Sequence, residues 1–268
     1  MTEPSIELEG VTKRFRRRQR PAGGRWWQRE RADRVALHPL DLTLEPGSTT
    51  GIIGPNGCGK STLVRILGTL LLPDSGRARV FGHDVVREPM AVRRHLNRVS
   101  VEAAFFKELS PWENLAYAAR LYGTGGAGLR RSVREILGRL RLPARTIDRP
   151  LRELSRGQQQ KVAIARSLLT APMLVLMDEP TTGLDPRSKR EVQEMVTELR
   201  QQRDITILLC THDLEEAAAL CDRVIVMDRG RVLADGPPTD AGSLERLFFD
   251  LTGRPLEEEG SEEEVGAA

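Results

Sequence analysis

One nine-residue stretch, GPNGCGKST at residues 54–62, constrains the fold of this chain more than any other. It matches the phosphate-binding loop pattern G-x-x-x-x-G-K-[ST], whose glycines let backbone N–H groups curl around a β-phosphate. The short apolar run Thr49–Ile53 before it predicts a strand, and Leu63, Ile66, Leu67 and Leu70 after it predict one face of a helix. A loop in that position indicates an α/β nucleotide-binding fold rather than a glycine-rich turn without function.

The side chains of Lys60 and Ser61 carry the chemistry of this loop. Lys60 would bring a positive charge to the β- and γ-phosphates of a nucleotide, and the Ser61 hydroxyl can ligate Mg²⁺. The residues predicted to bind nucleotide here are Gly54, Pro55, Asn56, Gly57, Cys58, Gly59, Lys60, Ser61 and Thr62.

Two adjacent carboxylates follow a second buried strand. The apolar run Met173–Met177 has the length of a strand and leads directly into Asp178 and Glu179. Ligands bind at the carboxyl ends of the strands in such folds. Asp178 is therefore predicted to hold Mg²⁺, and Glu179 to orient or deprotonate the attacking water. Either acid alone could simply start a turn, but the pair downstream of a phosphate loop favours catalysis.

Two further elements have the character of phosphate contacts. His212 follows the predicted strand Thr206–Cys210, where it would face the γ-phosphate, although a lone histidine is more often structural. The sequence LSRGQ at residues 154–158 opens a helical pattern with a Ser and a Gly, and the first turn of a helix has unpaired N–H groups that bind anions. The chain thus carries two half-sites for the same kind of ligand.

The alternation of strand and helix patterns predicts the domain organisation. Buried apolar strands between helices indicate a mainly parallel sheet with helices on both sides. One domain is predicted over residues 1–253, with core segments at about 1–88 and 168–245 and an inserted helical subdomain at about 89–167. A helix is predicted over Pro186–Arg203, capped by Asp185 and with Val192, Met195, Val196 and Leu199 on one face. Residues 254–268 form an acidic tail that is expected to be disordered.

Composition excludes several classes of protein. Hydrophobic residues make up 39% of the chain, but no apolar run approaches the roughly eighteen residues that a membrane helix needs. Met1–Gly10 lacks the hydrophobic segment of a signal peptide. Cys58, Cys210 and Cys221 are widely spaced and fit no metal pattern, which favours a reducing cytosol.

The phosphate loop, LSRGQ, MDEPTTGLD and THD follow one another in this order, and together they resemble the nucleotide-binding subunit of an ATP-binding cassette (ABC) transporter. The resemblance covers roughly residues 6–253. It implies a P-loop ATPase of ABC type with an N-terminal antiparallel β region, and ATP and Mg²⁺ as cofactors. It also implies that Phe15 stacks on adenine and that Asp185 belongs to the loop between subunits.

The same resemblance explains why the chain carries two half-sites. It identifies residues 154–158 as the signature sequence, which acts on the nucleotide of another subunit. The signature residues expected at the nucleotide are Ser155, Arg156, Gly157 and Gln158. Ser155 and Gly157 would close over the γ-phosphate that a partner binds, while Lys60, Glu179 and His212 act in their own chain. A second ATPase subunit, as in a homodimer, is therefore an expected partner.

The resemblance favours an exporter. The stretch Ser243–Gly253 and the arginine in the signature are similar to those of drug- and lipid-exporting members. Transport would then run through separate transmembrane permease subunits, with this chain at the cytoplasmic face of the membrane. Phe105 and Phe106 are apolar residues that could contact the partner or equally well pack in the core. A soluble ABC ATPase of macromolecular assembly, as in iron–sulfur cluster biogenesis, stays open as the alternative. A small-molecule P-loop kinase explains neither LSRGQ nor His212.

Three positions depart from the family pattern. Arg156 replaces the first glycine of the signature, and its charge could contact phosphate or a partner as readily as it could be an exposed helix-start residue. The glutamine expected after the strand near Val99 is absent, and Glu102 is the closest substitute as a Mg²⁺ ligand. The insert Arg16–Arg34 separates Phe15 from the strand that it normally approaches.

This insert is strongly basic. Ten Lys or Arg and two acids lie between Lys13 and Arg34, a local charge of +8 in a chain whose net charge is +3. A solvated loop is the first interpretation. An anionic membrane surface is the second, with Trp26 and Trp27 at the interface and each cation worth about 1 kcal/mol. Nucleic acid is a distant third, and no nucleic-acid partner is expected.

Overall fold

The computed structural model describes residues 3–19, 30–100, 105–124, 126, 128–202 and 205–256. Glu102, the central part of the basic insert with Trp26 and Trp27, and the acidic tail beyond residue 256 lie outside the described residues. The strands are β1 Ile6–Gln19, β2 Glu30–Leu44, β3 Thr49–Ile53, β4 Ser75–Val80, β5 His83–Asp84, β6 Leu96–Ser100, β7 Leu174–Asp178, β8 Thr206–Thr211, β9 Arg223–Asp228 and β10 Arg231–Gly236.

The helices account for most of the remaining described chain. They are α1 Lys60–Leu67, α2 Pro89–His95, α3 Pro111–Leu121, α4 Leu129–Arg139, α5 Arg156–Leu168, α6 Pro186–Gln202, α7 Leu214–Leu220 and α8 Ala241–Thr252. Two short 3₁₀ turns, Ala144–Thr146 and Leu151–Glu153, lie between α4 and α5. None of the helices in the described part of the chain combines the length and the hydropathy that a membrane span requires.

Two sheets organise these elements. An antiparallel sheet has the order β2–β1–β4–β5, and a six-stranded sheet has the order β10–β9–β3–β8–β7–β6. In the larger sheet every neighbouring pair from β9 to β6 is parallel, and β10 alone pairs antiparallel at the edge. The predicted fold class, a mainly parallel α/β core with an N-terminal antiparallel β region, is confirmed.

The continuous apolar strands are explained by burial on both faces of the larger sheet. In β7, Leu174 and Leu176 pack with α1 and the antiparallel sheet. Val175 and Met177, whose side chains point the opposite way, pack with the helices of the other layer. A strand covered on both sides needs apolar residues at every position, and this is why its sequence shows no polar alternation.

The segment predicted as a helical subdomain contains one strand of the core. β6 pairs in parallel with β7 at the edge of the six-stranded sheet, with Ser100 opposite Asp178. The predicted boundary near residue 89 therefore lies too early, because the short α2 and β6 belong to the sheet layer. The longer helices α3, α4 and α5 follow, and they pack against one another through Leu115, Val133 and Leu137.

Two helices show how local signals set the ends of elements. Asp185 Oδ1 accepts hydrogen bonds from the backbone N–H groups of Arg187 and Ser188 at 3.1 and 3.0 Å, so it caps α6 as predicted. The prediction for α1 was wrong at its end. Gly68 terminates that helix, and Leu70 lies beyond it with 64% of its surface exposed instead of on the buried face.

The two ends of the basic insert are not a free loop. β1 and β2 continue as an antiparallel ribbon as far as Gln19 and Glu30, with Phe15 opposite Arg34 and Arg16 opposite Asp33. The solvated-loop interpretation is therefore wrong for these ends. The insert also does not remove Phe15 from its neighbouring strand, since the added residues extend the ribbon beyond it.

Phe248 provides a test of how α8 is attached to the core. Its side chain is fully buried in the helical layer, whereas the adjacent Phe249 is 52% exposed. We expect Phe248→Ala to lower the free energy of unfolding by about 3–5 kcal/mol, because it leaves a cavity. Phe249→Ala is the matched control and should change it by less than about 0.5 kcal/mol. Urea denaturation measures both, and equal effects of the two substitutions would contradict the packing described.

Candidate nucleotide site

A cavity of about 370 Å³ lies where the phosphate loop, the end of β7 and the β1–β2 ribbon meet. This volume falls in the range of small-molecule sites. The residues that line it are Phe15, Arg16, Arg34, Ala36, Asn56, Gly57, Gly59, Lys60, Ser61, Thr62 and Glu179. The cavity therefore brings together the predicted adenine contact, most of the predicted phosphate loop and the predicted catalytic carboxylate.

Glycine at position 59 shapes the loop where it enters α1. Its φ is +118°, and a Cβ there would lie 2.6 Å from the carbonyl oxygen of Ala36, so a side chain would collide with the β2 backbone. Gly59 also has no side chain with which to cap α1. The first N–H groups of the helix therefore stay available to an anion in the cavity.

Lys60 is held tightly although it is charged. Its ammonium donates to the carbonyl oxygens of Gly54 and Pro55, at 2.5 and 3.1 Å, and lies 3.5 Å from Glu179 Oε1. The side chain is almost fully buried. These contacts keep the positive charge inside the loop, where a β- or γ-phosphate would replace the carbonyl partners.

Ser61 and Asp178 are 117 positions apart and meet through a hydrogen bond. Ser61 Oγ donates to Asp178 Oδ1 at 3.0 Å. A hydroxyl and a carboxylate that converge beside a phosphate site fit Mg²⁺, which binds few protein oxygens and takes its other ligands from water and phosphate. The predicted third ligand, Glu102, lies outside the described residues.

Glu179 is oriented by an unusual backbone conformation. Its φ is +54°, in the left-handed region that non-glycine residues rarely adopt. Its N–H donates to the carbonyl oxygen of Cys210 at 2.8 Å, so the turn is tied to the neighbouring strand β8. The strain is stored at a carboxylate that lines the cavity, as is typical of functional positions.

The two carboxylate oxygens of Glu179 have different surroundings. Oε2 accepts a hydrogen bond from Thr182 Oγ1 at 2.9 Å and lies 2.7 Å from Nδ1 of His212. Oε1 is buried and has no hydrogen-bond partner among the described residues, only the ammonium of Lys60 at 3.5 Å. An oxygen in this state can accept a hydrogen bond from a water in the cavity.

Opposite charges set the ionisation of this pair. Burial opposes the ionised form of Glu179, but the hydrogen bond with His212 and the charge of Lys60 outweigh it and lower the pKa of the carboxyl. The hydrogen bond with Glu179 in turn raises the pKa of the His212 imidazole against the effect of burial. The carboxylate is therefore ionised at neutral pH.

Three predicted loop residues contribute without lining the cavity. Gly54 and Pro55 supply the carbonyl oxygens that hold Lys60. Cys58 packs in the core behind the loop, where burial raises the pKa of its thiol. Cys210 and Cys221 are also buried free thiols, and burial raises the pKa of Cys221 to about 12. These side chains are structural.

The signature segment stands apart from this cavity. Ser155 is exposed and forms a capping box with Gln158 at the start of α5. Gly157 is buried, and a Cβ there would lie 2.4 Å from Ser188 Oγ. Glycine thus lets the first turn of α5 pack against α6, next to Asp185. Arg156 is exposed, and its guanidinium lies beside Gly183.

Some residues around the site were not predicted from the sequence. Arg34 and Ala36 line the cavity, and Thr182 holds Glu179. Glu216 is fully buried near the hydroxyls of Thr181 and Thr211, and burial raises the pKa of its carboxyl. Only the charge run gave any signal for Arg34, because its position opposite Phe15 depends on strand register.

Residues 37–182 match the family model described as ABC transporter. A daunorubicin resistance ATP-binding protein of Streptomyces coeruleorubidus is 42% identical over 88% of this chain and 69% of its own length. A daunorubicin/doxorubicin resistance ATP-binding protein of Streptomyces peucetius is 45% identical over 75% of this chain and 60% of its length. An Fe(3+) ions import ATP-binding protein of Rhizobium meliloti is 40% identical over 77% and 58%. This chain thus spans less than two thirds of the last two relatives.

Two solved structures are similar over nearly their whole length. The cbiO1 protein from Clostridium perfringens, part of the ABC transporter complex cbiONQ, has a TM-score of 0.74 and 27% identity, over 94% of this chain and 97% of its own. An ATP-binding cassette solved as a dimer in a post-hydrolysis state, with ADP and phosphate bound, has a TM-score of 0.73 and 26% identity, over 87% and 99%.

The pairing of His212 with Glu179 predicts a pH dependence. The stabilisation that His212 adds to the free energy of unfolding is complete below its ordinary pKa of 6.5. It is lost as pH rises through the higher pKa of the folded protein. The contribution of Glu179 is present above its ordinary 4.5 and is lost as pH falls through its lower folded value. The pair should therefore stabilise the fold most between these two ordinary values. NMR titration should show the pKa of His212 falling in Glu179→Gln but not in Glu135→Gln, which alters an exposed acid on α4. An unchanged His212 in both variants would contradict the pairing.

Proposed function

The chain belongs to the ABC transporter family and is an ATPase of ABC type, and we propose that it powers export through a separate membrane permease after pairing with a second ATPase subunit around ATP. One observation carries the proposal. Lys60, Asp178, Glu179 and His212 come from three separate stretches of the chain and converge at one phosphate loop. This arrangement provides the charge, the metal-binding oxygens and the base that hydrolysis of a γ-phosphate requires.

Each side chain has a defined task in the proposed hydrolysis. Lys60 exchanges its carbonyl partners for phosphate oxygens, and Glu179 accepts a proton or hydrogen bond from the attacking water through Oε1. His212 holds Oε2 and so keeps the carboxylate turned toward the cavity. Ser61 and Asp178 would hold Mg²⁺, which neutralises charge that develops on the phosphates.

Pairing of subunits is supported by the position of the signature segment. None of the described residues of 154–158 lines the cavity, and Ser155 is exposed at the start of α5, so this segment is accessible to a nucleotide held by another chain. Three charge-assisted hydrogen bonds are worth about 1.5–3 kcal/mol each. Their sum is comparable to the roughly 5.5 kcal/mol that moves an equilibrium from 1:99 to 99:1. Loss of the γ-phosphate would remove these bonds and reopen the pair.

Export is supported by the two drug-resistance relatives, at 42% and 45% identity. An import relative has a somewhat lower identity of 40%, and this difference favours export over import. A chain that works with a membrane permease would lie at the cytoplasmic face of the membrane. Phe106 is exposed and packs edge-to-face on Tyr117, with 5.2 Å between the two ring centroids. It offers an apolar contact for such a partner.

Glu179→Gln tests the catalytic assignment. We expect it to slow ATP turnover about 10²–10⁴-fold, because the amide cannot take the proton of water. It should also accumulate an ATP-bound dimer, since the γ-phosphate persists. Phosphate release and size-exclusion chromatography measure the two effects, with Glu135→Gln as the control. Turnover like that of the wild type would refute the assignment, and a slow variant that stays monomeric with ATP would refute the pairing.

Co-purification from membranes tests the partner. We expect a polytopic membrane protein to be retained with the tagged chain, and Phe106→Ser to weaken its retention at least severalfold. Phe249→Ser is a matched control, because Phe106 and Phe249 are 54% and 52% exposed on different parts of the surface. Retention of a soluble assembly partner in place of a membrane protein would support the alternative of a soluble ABC ATPase.

A further inference from the structure

Arg34 occupies a position that none of the recognised motifs includes. It lies on β2 directly opposite Phe15 of β1 in the antiparallel ribbon, and both residues line the nucleotide cavity. Side chains of directly opposed residues in an antiparallel pair project from the same face and contact the same surroundings. The ribbon therefore presents an aromatic ring and a guanidinium side by side to one ligand.

The guanidinium of Arg34 lies over the phosphate loop itself. Its Nη2 donates to the carbonyl oxygen of Gly57 at 3.2 Å, and a Cβ on Gly57 would lie only 2.7 Å from the same nitrogen. Gly57 belongs to the stretch that wraps around a phosphate chain. The positive charge of Arg34 thus lies next to the phosphate loop and borders the cavity.

The charge of Arg34 is not balanced by any acid among the described residues. Its guanidinium forms no ion pair with them and donates a hydrogen bond to a neutral carbonyl, that of Gly57. Lys60, in contrast, is held by two carbonyls and by Glu179. A guanidinium has five N–H donors, and its hydrogen bonds to phosphate oxygens are stronger than those to a neutral carbonyl. A nucleotide in the cavity would therefore be the better partner.

We propose that Arg34 is a nucleotide-binding residue that leaves Gly57 to hydrogen-bond the phosphate chain of the ATP whose adenine stacks on Phe15. The inference rests on the proposed function insofar as ATP occupies this cavity. Phe15 and Arg34, which form one cross-strand pair of the ribbon, then contact the base and the phosphates of the same nucleotide. Arg34 acts within its own chain, unlike the signature segment.

Nucleotide affinities of the full-length chain test this assignment. Isothermal titration calorimetry with ADP and with GDP, both with Mg²⁺, is applied to Arg34→Gln, Arg34→Lys and Arg14→Gln. Arg14 is the matched control, because it is an exposed arginine of the neighbouring strand β1 that does not line the cavity. We expect Arg34→Gln to lower the affinity for both nucleotides about tenfold and Arg34→Lys to recover part of this loss. Arg14→Gln should change either affinity less than twofold.

The outcomes separate this inference from the proposed function. Unchanged ADP affinity in Arg34→Gln overturns the assignment, as does a loss confined to ADP, which would mean that the guanidinium stacks on adenine. An equal loss in Arg14→Gln would indicate a general effect of charge and would also overturn it. If the wild type binds ADP and Lys60→Ala does not, the nucleotide site stands whatever Arg34 does. If the wild type binds no nucleotide, the proposed function itself fails.

Discussion

The parallel pairing of β7 with β8, and of β8 with β3, is the constraint on which the rest of the structure depends. It places the carboxyl ends of three strands at one edge, so that the phosphate loop, Asp178 with Glu179, and His212 leave the sheet as neighbours. The strands can lie in the centre of the sheet because every residue in them is buried on one face or the other. Buried, mainly aliphatic strands thus position the polar residues that follow them at this edge.

At that edge the protein keeps three ionisable groups in contact. Burying Lys60 or Glu179 alone would be costly, because an isolated charge in a poorly solvated site loses its hydration. Together with His212 they compensate one another, and the loop carbonyls complete the coordination of the ammonium. The arrangement holds a carboxylate ionised with one oxygen fixed and the other available. A strained backbone at Glu179 is the conformational cost of directing it there.

The second half-site is connected mechanically to the loop that follows the first. Gly157 permits α5 to approach Ser188 of α6, and α6 begins at Pro186, only seven residues after Glu179. An ion pair at 2.8 Å between the buried Lys161 and the partly exposed Glu191 joins the same two helices. A movement of the signature segment that accompanies ATP binding by a partner would therefore displace the start of α6. The packing offers a direct route between the two half-sites, which would serve different nucleotides in the proposed pair of subunits.

The amino-acid sequence by itself determined the identity of the motifs, the α/β class and the predicted tasks of Lys60, Asp178 and Glu179. These features depend on residues that are close in sequence and therefore also close in three dimensions. Only the tertiary structure decided that β6 belongs to the core sheet, that Gly157 packs on Ser188, and that Arg34 stands opposite Phe15 above the phosphate loop. Strand order and register between distant segments arise from burial and pairing of the whole chain, and no local pattern in a single sequence encodes them.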